Sequence, residues 1–305
     1  MKYLLFTLIL LFLAESNAQV SSLSEELIHS TIRIECQYLL KDNSGKAILK
    51  NGTGSGFIFS FKMNESDSTT IPVIVTNKHV IQNAVKGKFL FTKKDSIGNP
   101  IYGEKEIFEI SNFQQYWLAH PDPNIDLCIM PIAPILNQSI KNNKPIYYRN
   151  FEESLIPKKE VWDSFTALED ILMIGYPIGL WDSKNNLPII RKGQTATPMK
   201  IDYLGKPEFL LDIPAFPGSS GSPVILYNQG SYGTDKGLTI GSRLYLVGIL
   251  YAGPMYNAKG TGEITIHNLP VNVTTTTGVP INIGVSIKSN LLLDFKTELQ
   301  KLLKN

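Results

Sequence analysis

The stretch Phe216-Pro217-Gly218-Ser219-Ser220-Gly221-Ser222-Pro223 sets hydroxyl groups on a glycine-flanked turn. Acyl transfer needs a hydroxyl held on a tight turn, with backbone N–H groups beside it to receive the charge that develops on an attacked carbonyl oxygen. Gly218 reaches backbone angles that an L-residue resists, so its N–H and that of Ser220 can face one small space. A Ser/Gly/Pro surface loop has the same composition, and the octet alone leaves both readings open. Two further stretches supply what such a hydroxyl lacks, a base and a group to orient it. Residues 71–81 form an apolar, β-rich run that ends around His79, and Asn124-Ile125-Asp126-Leu127-Cys128-Ile129-Met130 places an acid at the start of another. Asp126 also reads as a turn residue, with Asp122 and Asp163 as reserve acids, and Ser219 and Ser222 compete with Ser220.

The chain order is His, Asp, Ser, which is the order of the chymotrypsin-type triad and not that of subtilisins or α/β-hydrolases. With Thr76-Asn77-Lys78-His79-Val80, Asp126-Leu127-Cys128 and the turn from Pro217 to Pro223 in succession, the chain resembles trypsin-fold (chymotrypsin-like) serine peptidases. It is similar in particular to bacterial trypsin-like and HtrA-like protease domains, here without a PDZ module. Gly54-Ser55-Gly56 ahead of the histidine strand and Gly175-Tyr176-Pro177-Ile178-Gly179-Leu180 at the opening of the second half match that group as well. The resemblance implies Ser220 as nucleophile, His79 as general base, Asp126 as the group that fixes the imidazole, and the Gly218 and Ser220 N–H groups as oxyanion hole.

A serine endopeptidase acting on a peptide or protein substrate is the activity this implies. A non-catalytic trypsin-fold module that binds peptide or protein in the same cleft is the alternative. By the same carry-over Pro214, Ala215 and Phe216 form the base of the primary pocket, and Leu250, Tyr251 and Ala252 form its wall. None of the first three can pair with a Lys or Arg side chain, and Leu250 stands where glutamyl endopeptidases carry a histidine, so a small or medium apolar P1 residue is expected. Ser219 stands where vertebrate zymogens place an aspartate, and no Ile-Val-Gly-Gly-like start follows residue 18. Activation by insertion of a new N-terminus is therefore not expected.

These residues need strands to carry them. Residues 30–40 alternate, with Ile32, Ile34, Cys36 and Tyr38 on one face and Arg33, Glu35 and Gln37 on the other. Short strands are predicted at 57–61, 72–76, 88–92, 102–110 and 127–132, then at 171–174, 189–194, 208–213, 224–227, 244–250 and 281–287, with turn signals between them. That rhythm argues for an antiparallel barrel or sandwich. The resemblance specifies an all-β fold of two six-stranded antiparallel Greek-key barrels with a C-terminal helix. The expected organisation is a signal peptide over 1–18, a first barrel over 19–136 with His79 and Asp126, a connection over 137–164, a second barrel over 165–288 with Ser220, and the helix over 289–305. Residues 41–52 read as a polar turn, and 252–280 as a long loop containing either a further β segment or an exposed threonine tract.

Composition bounds the partners. A chain of 305 residues with 43% hydrophobic content supports a folded core. A net charge of +2 lacks the concentrated basic face that nucleic acid or an anionic membrane demands, so no nucleic-acid partner is expected. Met1-Lys2-Tyr3, an apolar run over 4–14 and Glu15-Ser16-Asn17-Ala18 describe a secretory signal peptide cleaved after Ala18. A retained amphipathic or core helix is the alternative. Export to the periplasm or extracellular space follows from the first reading, with no membrane span left after cleavage. Cys36 and Cys128 allow one bridge, and each also reads as a small buried hydrophobe. The four histidines and two cysteines show no metal-ligand spacing, so no metal or other cofactor is expected. His29, His120 and His267 are read as surface residues.

Overall fold

The computed structural model describes residues 23–42, 44–63, 69–234, 237–266 and 269–304. The leader segment and His267 lie outside them. The first half contributes β1 (Thr31–Lys41), β2 (Ala47–Lys62), β3 (Thr70–Thr76), β4 (Ala84–Lys94), β5 (Pro100–Ser111), β6 (Leu118–Ala119), β7 (Cys128–Pro131), β8 (Ile146–Tyr147) and β9 (Phe151–Glu152). In β1 the alternation is visible in space, with Ile32, Ile34 and Cys36 buried and Arg33, Glu35 and Gln37 half-buried. These strands form one nine-stranded sheet in the order β5-β4-β1-β2-β3-β7-β6, with β8 added to β4 and β9 to β2. The count exceeds the expected six because β6, β8 and β9 are two-residue pairings, too short to carry any alternation. Two of them come from the stretch expected to connect the barrels. Residues 41–52 are not a turn: β1 and β2 stay paired out to Lys41 opposite Ala47, and Asp42 closes the short remainder by accepting the Ser44 and Lys46 N–H groups.

The second half contributes β10 (Asp170–Gly175), β11 (Ile189–Thr195), β12 (Glu208–Asp212), β13 (Pro223–Asn228), β14 (Ser231–Thr234), β15 (Gly237–Ile240), β16 (Arg243–Ala252), β17 (Met255–Ile266), β18 (Leu269–Pro280) and β19 (Ile283–Lys288). Six of these close a barrel in the order β10-β11-β12-β19-β16-β13, as the resemblance implied. The long segment 252–280 resolves into the β17–β18 hairpin, paired from Met255 opposite Pro280 to Ile266 opposite Leu269.

Three cores organise the chain. Each half has its own interior, one around Ile34, Phe89 and Phe113 and one around Met173, Phe209 and Val247. The other lies between the halves, where Phe57, Phe59 and Phe61 of β2 meet Ile225, Ile249 and Ile287 of the barrel. Leu292, Phe295 and Leu299 of the C-terminal segment enter that same core, from a 3-10 turn at Ser289–Asp294 that runs into a helix at Phe295–Lys304. His120 belongs to this junction and is 4% exposed, contrary to its surface reading. Its Nε2–H donates to the Leu291 carbonyl at 3.1 Å, its Nδ1 accepts the Asp122 N–H at 3.1 Å, and its ring meets Phe295 edge-on. Cys36 and Cys128 are buried, unbridged thiols, and burial pushes Cys36 up to about 12. Among the described residues no helix is long and apolar enough to cross a membrane.

His29 is also buried, packed edge-on against Tyr147 with ring centroids 4.8 Å apart. Burial, and after it the charge of Arg149, lowers its pKa to about 4. The folded value lies below the unfolded value of about 6.5. Between the two the unfolded chain binds the proton more readily, so stability is lost as pH falls through that window. Urea unfolding measured from pH 7 to pH 4 is expected to show this loss, with a shallower slope in H29N.

Candidate active site

Thr76 ends β3, and Asn77, in extended backbone, turns the chain into a four-residue helix at Lys78–Ile81. Val80 and Ile81 bury themselves, which leaves the His79 side chain 46% exposed. Asp126 grips this residue twice: Oδ2 lies 2.5 Å from His79 Nδ1, and Oδ1 accepts the His79 backbone N–H at 3.1 Å. An ionised carboxylate only accepts, so Nδ1 carries the proton and Nε2 is left as the free acceptor. The Asp126 loop is tied to the histidine helix from both sides. Asn77 Nδ2 donates to the Asp126 carbonyl at 2.8 Å, and Lys78 Nζ donates to the Asp122 carbonyl at 3.1 Å. The reserve acids are occupied elsewhere, Asp122 in its own turn through the Asn124 N–H and Asp163 with Lys159 on a surface helix.

Around Ser220 the backbone polar groups can be accounted for one by one. Phe216 O accepts from Ser219 N at 3.0 Å, Pro217 O from Ile178 N at 2.5 Å, and Gly218 O from the Ser55 hydroxyl at 2.8 Å. Ser219 O accepts from Ser222 N at 3.0 Å, and Ser220 O from Ser55 N at 2.9 Å. Gly221 N donates to Leu250 O at 2.8 Å. Within 217–222, and among the described residues, the N–H groups left without a partner are those of Gly218 and Ser220. A trans peptide points its C=O and N–H in opposite directions. The hold of Ile178 on the Pro217 carbonyl therefore turns the Gly218 N–H away from the 177–179 loop. Gly218 and Gly221 sit at φ +88° and +86°, and a Cβ on Gly221 would fall 2.0 Å from the Ser55 carbonyl.

The two halves are joined at this turn. Thr76, three residues ahead of His79, donates its hydroxyl to the Ser55 carbonyl at 2.7 Å, and Ser55 N holds the Ser220 carbonyl. Tyr251 makes the second link. Its carbonyl accepts the Ser220 hydroxyl at 3.4 Å, while burial first, then Glu208, and then the Asp126 charge raise the pKa of its phenol. Thr76 and Ser55 thus tie the Ser220 turn to the segment that carries His79, whose ring Asp126 holds. Among the described residues the partner of the Ser220 hydroxyl is Tyr251 O and not the His79 ring. Ser219 and Ser222 are fully buried, which removes both as rivals for a cleft hydroxyl.

The residues carried over as a substrate pocket divide. Phe216 is exposed, Pro214, Tyr251 and Ala252 are half-buried, and Ala215 is 9% exposed. Leu250, 1% exposed, packs into the second barrel's core with Ala215, because strand alternation turns it opposite to Tyr251. The backbone of Gly253 packs on the Ala215 carbonyl so closely that a Cβ there would approach to 2.4 Å. Sequence reasoning missed Arg191. Its guanidinium donates to the Pro214 carbonyl and, at 2.9 Å, to Ser219 Oγ. No carboxylate pairs with it among the described residues, and burial lowers its pKa to about 10. The signal was present in β11, where Ile189, Arg191 and Gly193 alternate with the exposed Ile190 and Lys192.

Ile178 holds the Pro217 carbonyl from a left-handed conformation, φ 46° and ψ 28°, that a β-branched residue resists. Its side chain is 70% exposed, so little packing offsets the strain. Ile178→Gly keeps the N–H and removes the clash. Denaturant unfolding is expected to show stabilisation by about 1 kcal/mol.

A model of the trypsin-like peptidase domain matches residues 54–232, from the glycine-flanked Ser55 through the Ser220 turn and into β14. A search of curated proteins returned no match. Covering more than half of the chain and enclosing the histidine, aspartate and serine motifs in order, that match makes this protein a member of the trypsin-like peptidase family.

Proposed function

We propose that the protein is an exported serine endopeptidase, periplasmic or extracellular, that cleaves peptide bonds through Ser220, His79 and Asp126. The observation that carries the reading is the pair of N–H groups, Gly218 and Ser220, unpartnered among the described residues beside the Ser220 hydroxyl, on a turn that Ser55 and Thr76 tie to the segment of the doubly gripped His79. The Ser220 hydroxyl leaves the Tyr251 carbonyl and attacks the scissile carbonyl carbon, giving its proton to His79 Nε2. The oxyanion is received by the Gly218 and Ser220 N–H groups. His79 returns the proton to the leaving amine, which departs and leaves an acyl ester on Ser220. A water molecule attacks that ester in the same way, releasing the acid and restoring the serine. Asp126 keeps Nδ1 protonated throughout and stabilises the imidazolium.

The contact between Gly253 and Ala215 and the occupied Pro214 carbonyl favour a short apolar P1 side chain, at the small end of the expected range. Arg191 on Ser219 Oγ favours a turn formed without a new N-terminus, because an internal cation already occupies the place of the incoming amine. A peptide-binding module without catalysis is the second reading, favoured by the hydrogen bond of the Ser220 hydroxyl to Tyr251 O.

Covalent labelling by a fluorophosphonate separates the two readings. Residues 19–305 are expected to label without further proteolysis, and Ser220→Ala to lose the label. An unlabelled parent protein would leave the binding module standing and end the enzyme reading. In a peptide library, cleavage after Ala, Val or Leu is expected to outpace cleavage after Lys or Glu, and the reverse order overturns the P1 assignment. Asp126→Asn is expected to lower kcat by about four orders of magnitude at neutral pH, since it leaves the imidazole in the wrong tautomer.

A further inference from the structure

Ser55 is fully buried on β2 between two glycines whose places no larger residue could take. A Cβ on Gly54 would fall 2.4 Å from Val80 Cγ1, and one on Gly56 would fall 2.8 Å from the Val75 carbonyl. The strand is thereby pressed against the histidine segment on both sides of Ser55. Every polar group of this serine is engaged, and its partners come from three separate parts of the chain. The carbonyl takes the Thr76 hydroxyl at 2.7 Å, and the N–H holds the Ser220 carbonyl at 2.9 Å. The side-chain oxygen accepts the Tyr176 N–H at 2.9 Å and donates its proton to the Gly218 carbonyl at 2.8 Å. A hydroxyl has one proton to give, and that proton goes to the turn.

We infer that Ser55 is a positioning residue for the oxyanion turn, holding the carbonyls of Gly218 and Ser220, the two residues whose N–H groups are the oxyanion donors, so that those N–H groups converge. The inference rests on the reading of Ser220 as nucleophile. The backbone bond to Ser220 O would survive a change of side chain. The bond to Gly218 O would not, and it restrains the glycine at φ +88°, the residue of the turn with the widest choice of backbone angles. The hydroxyl also couples two loops. Tyr176 opens the 177–179 segment whose Ile178 N–H holds the Pro217 carbonyl, so one side chain bears on the peptides before and after Gly218. With the hydroxyl gone, the Gly218 carbonyl loses its donor and the backbone angles of Gly218 lose a restraint, and a change in those angles shifts the preceding peptide, which carries the Gly218 N–H, out of line. Displacement of a catalytic group by about 1 Å is enough to cost on the order of a hundredfold in rate.

The test compares the parent protein with S55A. Three readouts are taken: the rate constant for fluorophosphonate labelling, kcat and KM on an alanyl peptide p-nitroanilide per labelled site, and the low-field proton resonance of the His79–Asp126 pair. The expected result is a fall of about 10- to 100-fold in kcat and in labelling rate, with KM within about threefold and the low-field resonance unchanged. A serine needed only for stability would lower the melting temperature while leaving kcat per folded molecule at the parent value, and that outcome overturns the inference while the peptidase reading stands. A parent protein that does not label removes both. Should S55A not fold, S55C fills the same space with a weaker donor and is expected to fall between the parent and a full loss, and parent-like kcat in S55C counts against the role.

Discussion

Two backbone N–H groups can stay unpaired beside a buried turn only where every competing acceptor around them is already taken. In the segment 217–222 the carbonyls of Pro217, Gly218 and Ser220 are taken by donors from outside it, the Ile178 N–H and the Ser55 hydroxyl and N–H, and that of Ser219 by Ser222 N. An unsatisfied buried carbonyl competes for any donor within reach, so carbonyls already engaged leave the neighbouring N–H groups uncontested. The arrangement explains why glycine occupies Gly218 and Gly221, and why an exposed isoleucine persists in a left-handed conformation at Ile178.

The same constraint reaches into the packing. The bonds from Ser55 cross from the first sheet to the second barrel, so they hold only if the halves keep a fixed relation. The shared core of Phe57, Phe59 and Phe61 against Ile225, Ile249 and Ile287 supplies that, and Leu292, Phe295 and Leu299 close it from the C-terminal helix. Apolar burial is non-directional, while the hydrogen bonds at the seam are directional. The core brings the halves together, and the bonds fix the register. His120 extends the arrangement to the acid: it joins Leu291 O to the Asp122 N–H, four residues ahead of Asp126.

Arg191 gives the turn a further anchor. A half-buried guanidinium that no carboxylate pairs among the described residues carries a desolvation cost that its bonds to the Pro214 carbonyl and Ser219 Oγ offset in part. Its effect is to fasten both ends of the segment that leads into Ser220, from the floor of the second barrel.

Strand rhythm and motif order are local properties, and the sequence carried them legibly. The alternation in β1, the six strands of the second barrel and the succession of His79, Asp126 and Ser220 could be read because each depends on neighbours within a few positions. What could not be read depends on partners far away in the chain. The two-residue strands β6, β8 and β9 exist only because a sheet edge is there to receive them. The burial of His29 and His120 follows from tyrosines and a C-terminal helix that approach from distant segments. The bond from Ser55 to Gly218 spans 163 positions, and those from Arg191 to the Ser220 turn follow from the closure of the barrel. Residue types and their order determined which chemistry this chain has the parts for. Only the packed chain decided which N–H groups remain free to take part in it, because whether a polar group is satisfied depends on what else arrives at the same place.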